Sequence, residues 1–233
     1  MTNTNQSPQH DIQQLTTIIE RIHRKTYQDY LRCFETFLDV SLEAINRMLL
    51  LDLSWKPELG DFEKARDEFA EGFAILLAQI HPDYTYQDIV GGAYMNLGTS
   101  SKGFGQFFTP WNVARMMAEI TLSQPDLSRY TPERPMTICD PSCGSGVMLL
   151  AAASCLPRSF IDEGRVAFYG MDVDRTCISM AQLNVRLYGL NVPGGFVKPT
   201  QDLTPQELDR LPEPHKSSVQ QTLFDLREQD KAA

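Results

Sequence analysis

The sequence predicts an α/β fold of few parallel strands behind an N-terminal helical region, and three observations predict it. Residues 136–139 form a short apolar run, followed by Asp140-Pro141-Ser142-Cys143-Gly144-Ser145-Gly146 and then by a second apolar stretch at 147–153. That order reads as a buried strand, a tight glycine-containing turn and a helix, the first half of a nucleotide-binding βαβ unit. Another apolar run, Val166-Ala167-Phe168-Tyr169-Gly170-Met171, ends at Asp172 and leads into a helical stretch from about residue 175 to about 188. Ahead of both, residues 11–96 carry apolar side chains at helical spacing. The expected organisation is a polar, disordered segment over 1–10, a helical region over 11–100, a truncated Rossmann-like core over 101–203 and a flexible tail over 204–233.

In the helical region, Leu15, Ile18, Ile19 and Ile22 form one stripe, and Leu31, Phe34, Leu38, Leu42, Ile45 and Leu49 continue it. This is one long helix, or two with a break. Pro57, Gly60 and Asp61 mark a turn. A further helix over about 62–80 puts Phe62, Phe69, Phe73, Leu76 and Ile80 on one face, and His81-Pro82-Asp83 ends it. A shorter helix spans about 86–96. The aromatic residues at this spacing read as core packing between helices.

A glycine-rich loop over 98–105 leads into Gln106-Phe107-Phe108-Thr109-Pro110. Thr109 reads as an N-cap and Pro110 as the first helical residue, with Val113, Met116, Met117 and Ile120 on one side of the helix that follows. Residues 123–135 are a polar linker with three prolines. Gly189 is placed as the C′ glycine of the helix after Asp172. Residues 195–198 read as a short third strand, beyond which prolines interrupt the pattern.

The 42% hydrophobic content suits a globular chain, and no apolar run approaches the roughly 20 residues of a membrane span. The first ten residues lack the apolar core of a secretion signal, so the expected location is cytoplasmic and no membrane partner is expected. Five scattered cysteines imply reduced thiols that serve packing, and no Cys or His pair completes a zinc site around Cys139 and Cys143. The net charge of −9 and the lack of a Lys/Arg run restrict any DNA contact to a local patch, a partner's help, or weak binding.

Gly144 and Gly146 permit close backbone approach to a ligand. Asp140 ends its strand where open α/β sheets bind ligands, and Asp172 ends the next strand where acidic residues hold ribose hydroxyls. Three segments in this order, Gly105 to Pro110, Asp140 to Gly146 and Tyr169-Gly170-Met171-Asp172-Val173-Asp174, resemble the adenine-specific N6 DNA methyltransferases, in particular the modification subunit of type I restriction systems and its stand-alone relatives. The leader Asp88-Ile89-Val90-Gly91-Gly92-Ala93-Tyr94 looks like that family too. The resemblance implies S-adenosyl-L-methionine as cofactor, and DNA methylation within a restriction–modification system as activity. By the same resemblance, Gln106, Phe108, Thr109 and Pro110 would wrap the methionine end. Asp140 and the backbone of Gly144, Ser145 and Gly146 would face the methionine moiety. Asp172 would take the ribose hydroxyls and Asp202 would lie near the adenine ring.

One departure bears on catalysis. The family's Asn/Asp-Pro-Pro-aromatic motif accepts hydrogens from the target amine, whose lone pair is otherwise delocalised, and stacks on the flipped base. No Pro-Pro occurs in the 233 residues, and Phe224-Asp225-Leu226 is followed by Arg227-Glu228-Gln229 instead. No catalytic residue is therefore assigned. A second subunit carrying the catalytic motif or target recognition is the expected partner. The alternatives are an inactive cofactor-binding regulatory or assembly subunit, and a relic with neither activity. Gln220, Leu223 and Phe224, in Gln220-Gln221-Thr222-Leu223-Phe224, resemble the peptide by which bacterial proteins dock on the replication sliding clamp, although Leu-Phe can equally pack on the domain.

Overall fold

A computed structural model describes residues 8–52, 54–80, 86–98, 107–123 and 125–192. The N-terminal stripe is two helices, α1 (Pro8–Thr26) and α2 (Tyr30–Leu49). The break lies at Tyr27, whose φ of 58° no helix accommodates. Asp29 then caps α2 by accepting the Arg32 N–H at 2.9 Å. Leu15, Ile18, Ile19 and Ile22 are all buried, as their spacing predicts. On α2 the buried line runs through Phe34, Phe37, Leu38 and Ile45, leaving Leu31, Leu42 and Leu49 on its half-buried flanks. A 3₁₀ turn (Gly60–Ala65) precedes α3 (Arg66–Ala78), and α4 (Ile89–Gly98) completes the helical region.

Helix α5 (Trp111–Thr121) comes next, then β1 (Met136–Asp140), α6 (Val147–Ser154), the short α7 (Arg158–Asp162), β2 (Val166–Gly170) and α8 (Arg175–Leu187). A 3₁₀ turn at Leu127–Arg129 falls in the stretch expected as a linker, and α7 in one to which the sequence pattern assigns no element. Strands β1 and β2 are parallel, with Met136 opposite Val166 and Asp140 opposite Gly170. Beyond β2, the Phe168 N–H donates to the Asn191 carbonyl at 2.8 Å, so the chain returns along that flank. On the other flank no strand pairs with β1 among the described residues, and Thr137 and Cys139 are exposed on one face of the sheet. Helix α8 ends in a Schellman motif: Gly189 has φ +62°, its N–H donates to Arg186 O at 3.0 Å, and Leu190 N–H donates to Val185 O at 2.9 Å.

The helical region and the α/β part share one hydrophobic core, in which Phe34, Phe37 and Phe168 are fully buried. Phe34 packs on Tyr94 of α4 at 5.5 Å between ring centroids. Glu35 of α2 accepts the Thr176 hydroxyl of α8 at 2.6 Å. Tyr188, after α8, exchanges hydrogen bonds with the Gln87 backbone, accepting its N–H at 3.0 Å and donating to its carbonyl at 3.1 Å. Glu68 of α3, 3% exposed, is held by Arg21 at 3.0 Å and Lys25 at 2.8 Å from α1. Helix α5 joins this core through Trp111. It meets α6 through Ala114 and Ala118 against Val147 and Ala151.

Candidate cofactor site

Because the two strands end in register, the turn after β1 and the segment after β2 close on each other. The Met171 N–H donates to the Asp140 carbonyl at 3.0 Å and the Cys143 N–H to the Met171 carbonyl at 2.8 Å. Within the turn, Asp140 Oδ1 accepts the Ser142 N–H at 3.0 Å. The Gly144 N–H donates to Asp172 Oδ2 at 2.9 Å, and Asp172 Oδ1 accepts the Asp174 N–H at 3.0 Å. Asp172 therefore organises the turn as well as lining it. Two amides occupy one site on each of its oxygens, and a carboxylate has about four, so it keeps acceptor capacity. Asp174 in turn caps α8 by accepting the Thr176 N–H at 2.7 Å.

The glycines have separate reasons. Gly144 and Gly146 both take left-handed φ, +52° and +85°. A Cβ on Gly146 would lie 3.2 Å from the Ala181 Cα, so the turn seats directly on α8. A Cβ on Gly144 would lie 2.8 Å from Cδ1 of Phe108. Phe108 thus covers the turn, and it is itself held by Tyr94 at 5.3 Å and by its N–H to Met95 Sδ at 3.4 Å.

Burial pushes the Asp140 carboxyl above its usual range, the Ser142 amide works against that, and the neighbouring Asp172 charge adds to it. Two carboxyl groups on either side of one turn make this crevice favourable for a cation. Burial also pushes the Cys143 thiol up to about 12 and raises Cys177, so both are neutral packing groups.

Of the residues assigned from the sequence, the structure brings together Phe108, Asp140, Gly144, Gly146 and Asp172. Ser145 lies in the same turn, but its side chain is fully buried and points away from the crevice, into a polar cluster with Asp88. Thr109 is half-buried and Pro110 exposed at the head of α5. The cap there is Pro110 rather than Thr109: its ψ of 142° is extended, the helix starts at Trp111, and the Pro110 carbonyl accepts the Val113 and Ala114 N–H groups, each at 3.0 Å. Gln106, Asp202, Gln220, Leu223 and Phe224 lie outside the described residues, as does the strand expected at 195–198.

Sequence reasoning missed roles for Asp88, Tyr94 and Asn184. Asp88 carried one signal, an acidic residue three positions before a glycine at a helix start, which is an N-cap pattern. Asn184 carried none, since it lies inside an otherwise ordinary helical repeat.

The family model for N-6 DNA methylases matches residues 86–210, more than half of the chain. The chain belongs to the N-6 DNA methylase family. Among curated relatives, it is 34% identical over 119 residues to the type II methyltransferase M.MamI of Microbacterium ammoniaphilum, covering 48% of this chain and 32% of that protein. It is 23% identical over 154 residues to the methylase subunit of the type I restriction enzyme MpnII of Mycoplasma pneumoniae, covering 66% of this chain and 24% of the relative. The chain therefore spans only about a quarter to a third of the length of these relatives. Among solved structures, a provisionally assigned class I S-adenosylmethionine-dependent methyltransferase from Listeria monocytogenes superposes with a TM-score of 0.46 at 15% identity, over 81% of this chain and 52% of that one. The type I restriction–modification methyltransferase subunit of Streptococcus thermophilus superposes with a TM-score of 0.36 at 20% identity, over 86% and 43%. Both likenesses are loose, and the family match stands without them.

Proposed function

We propose that this chain binds S-adenosyl-L-methionine in the crevice at the carboxyl ends of β1 and β2. In this reading it forms the cofactor-binding part of a cytoplasmic adenine-N6 DNA methyltransferase of restriction–modification type. The observation that carries the reading is the pair Asp140 and Asp172 on either side of the Gly144–Gly146 turn, within the segment that matches the family. The donor set fits the ligand. S-adenosylmethionine carries a sulfonium and an ammonium, which suit a crevice with two carboxylates, and a ribose diol, which suits the free acceptor capacity of Asp172. When bound it supplies an electrophilic methyl group. The chain's own residues orient it: Phe108 covers the turn, Asp172 fixes the Gly144 amide, and Asp140 faces the crevice.

The motif that directs an adenine amine at that methyl is supplied from outside these residues, by a partner subunit in this reading. Among the described residues one edge of β1 is unpaired, and such an edge invites another strand. The Arg227-Glu228-Gln229 that follows Phe224-Asp225-Leu226, in place of the family's motif, favours one second reading, a regulatory or assembly subunit that binds the cofactor and transfers nothing. Calorimetric titration with S-adenosylmethionine tests the common part. Saturable binding that is lost in Asp172→Ala is expected, and equal binding by that variant overturns the ribose assignment. Methyl incorporation into adenine-containing DNA on addition of a partner subunit supports the enzyme reading. No incorporation with any such subunit leaves the regulatory one.

A further inference from the structure

The Asp88 carboxylate is tied to three separate elements. As the N-cap of α4, its Oδ1 accepts the Gly91 N–H at 2.7 Å. The same oxygen accepts the Asn184 side-chain amide of α8 at 2.8 Å, and Oδ2 accepts the Ser145 hydroxyl at 2.5 Å. Asn184 also donates to the Ser145 carbonyl at 2.8 Å. Both polar groups that Ser145 presents on this side, hydroxyl and carbonyl, are thereby fixed, in a place where Ser145 and Asn184 are 0% and 1% exposed.

A helix cap needs only the first of these bonds. The other two reach 57 and 96 residues along the chain, to the centre of the cofactor turn and to the helix beneath it. The backbone makes room for them. A Cβ on Gly91 would stand 2.6 Å from Ser145 Oγ, so only glycine lets α4 come this close to the turn. Burial holds the Asp88 carboxyl above its usual range, against the Ser145, Gly91 and Asn184 hydrogen bonds that lower it. An enclosed carboxylate is costly unless its partners are in place, so the cluster favours one geometry of the turn over others.

We propose that Asp88 is the positioning residue of the cofactor turn: through Ser145 and Asn184 it fixes the Gly144–Gly146 backbone in the shape that receives S-adenosylmethionine. It does not touch the ligand. With Tyr94 and Met95 of the same helix holding Phe108 over Gly144, α4 shapes the turn from two sides. The helical region is thus part of the binding site rather than a separate module. This inference rests on the cofactor reading above.

The test compares Ser145→Ala, which cuts the turn-side bond and leaves the helix cap intact, with Asp88→Ala and Asp88→Asn. Two readouts are taken, S-adenosylmethionine affinity by calorimetry and hydrogen exchange of the Ser145 and Gly146 amides without ligand. The expected result for Ser145→Ala is affinity weakened about tenfold, the equivalent of one lost hydrogen bond of about 1.4 kcal/mol, and turn amides that exchange faster. Asp88→Ala does more. Asp88→Asn restores part of the affinity, because an amide can still accept from Gly91 and can donate to the Ser145 hydroxyl. Wild-type affinity and wild-type exchange in a folded Ser145→Ala chain overturn the proposal. A wild-type chain that does not bind S-adenosylmethionine overturns the cofactor reading instead, and the exchange measurement then decides alone whether Asp88 holds the turn.

Discussion

Helix α4 is packed on two adjacent sides. Gly92 meets α1, where a Cβ would lie 2.6 Å from Ile12 Cδ1, and Gly91 meets the cofactor turn at Ser145. Helix α5 also belongs to the neighbourhood of that turn, since Phe108 lies just before it and α6 starts just after Gly146, yet beyond Trp111 it is held by one stripe of small residues. Ala114 and Ala118 are buried against α6, while Met116 is 53% and Ile120 69% exposed, with Val113 and Met117 exposed beside them. Helix α4 stands inside a finished core. The outer face of α5 and one edge of β1 are not covered by the described residues. The contrast separates what this chain completes by itself, the cofactor turn, from what the proposed function assigns to another chain.

The largest effect expected from breaking this contrast is at Gly91. In Gly91→Ala the new methyl must displace Asp88 or Ser145, and overpacking of this kind destabilises by about 3 kcal/mol. Urea denaturation measures it, and a loss under 1 kcal/mol would show that α4 is not tightly seated. At Ala118→Leu the same physics acts on the contact between α5 and α6. Overpacking against Val147 and Ala151 should cost about 1–2 kcal/mol, and a similar or larger loss than at Gly91 would remove the distinction between the two helices.

Glu68→Gln probes the helical region through its pH dependence. Burial pushes the Glu68 carboxyl up, but the Lys25 and Arg21 hydrogen bonds outweigh burial and leave it below its usual range. A depressed carboxyl contributes stability that is present above its unfolded pKa and lost as pH falls through its folded value. Glu68→Gln should therefore lose about 1 kcal/mol at pH 7 and show less further loss than wild type below about pH 4. Parallel acid-unfolding profiles for the two chains would contradict the assignment. The smallest effect is expected on the exposed face of α5. Met116→Lys with Ile120→Lys should change stability by no more than about 0.5 kcal/mol and increase solubility. A larger destabilisation would mean that the face is covered within the chain.

Much of this arrangement was legible in the sequence where local pattern and fold agree. The Leu15–Ile22 stripe, the Gly144–Gly146 turn between strand and helix, and Gly189 at the end of α8 each follow from a rule about periodicity or backbone conformation. The sequence leaves the break at Tyr27 open because no Gly or Pro marks it, and Asp29 alone is a weak start signal. The two acidic strand ends were legible because parallel strands in register must bring them together. The Asp88–Ser145–Asn184 cluster was not. Its members are separated by 57 and 39 residues, and such contacts leave no period in the sequence. The exposure of Val113, Met116, Met117 and Ile120 was also hidden, because an apolar stripe reads the same whether or not anything covers it.

The measurement that tests the account most directly is calorimetric unfolding of the whole chain with and without S-adenosylmethionine. If the helices and the cofactor turn are one unit joined through α4, a single transition with equal calorimetric and van't Hoff enthalpies is expected, and the ligand should move it upward as a whole. Two transitions, only one of which moves with ligand, would contradict the account and make the helical region a bystander to the site.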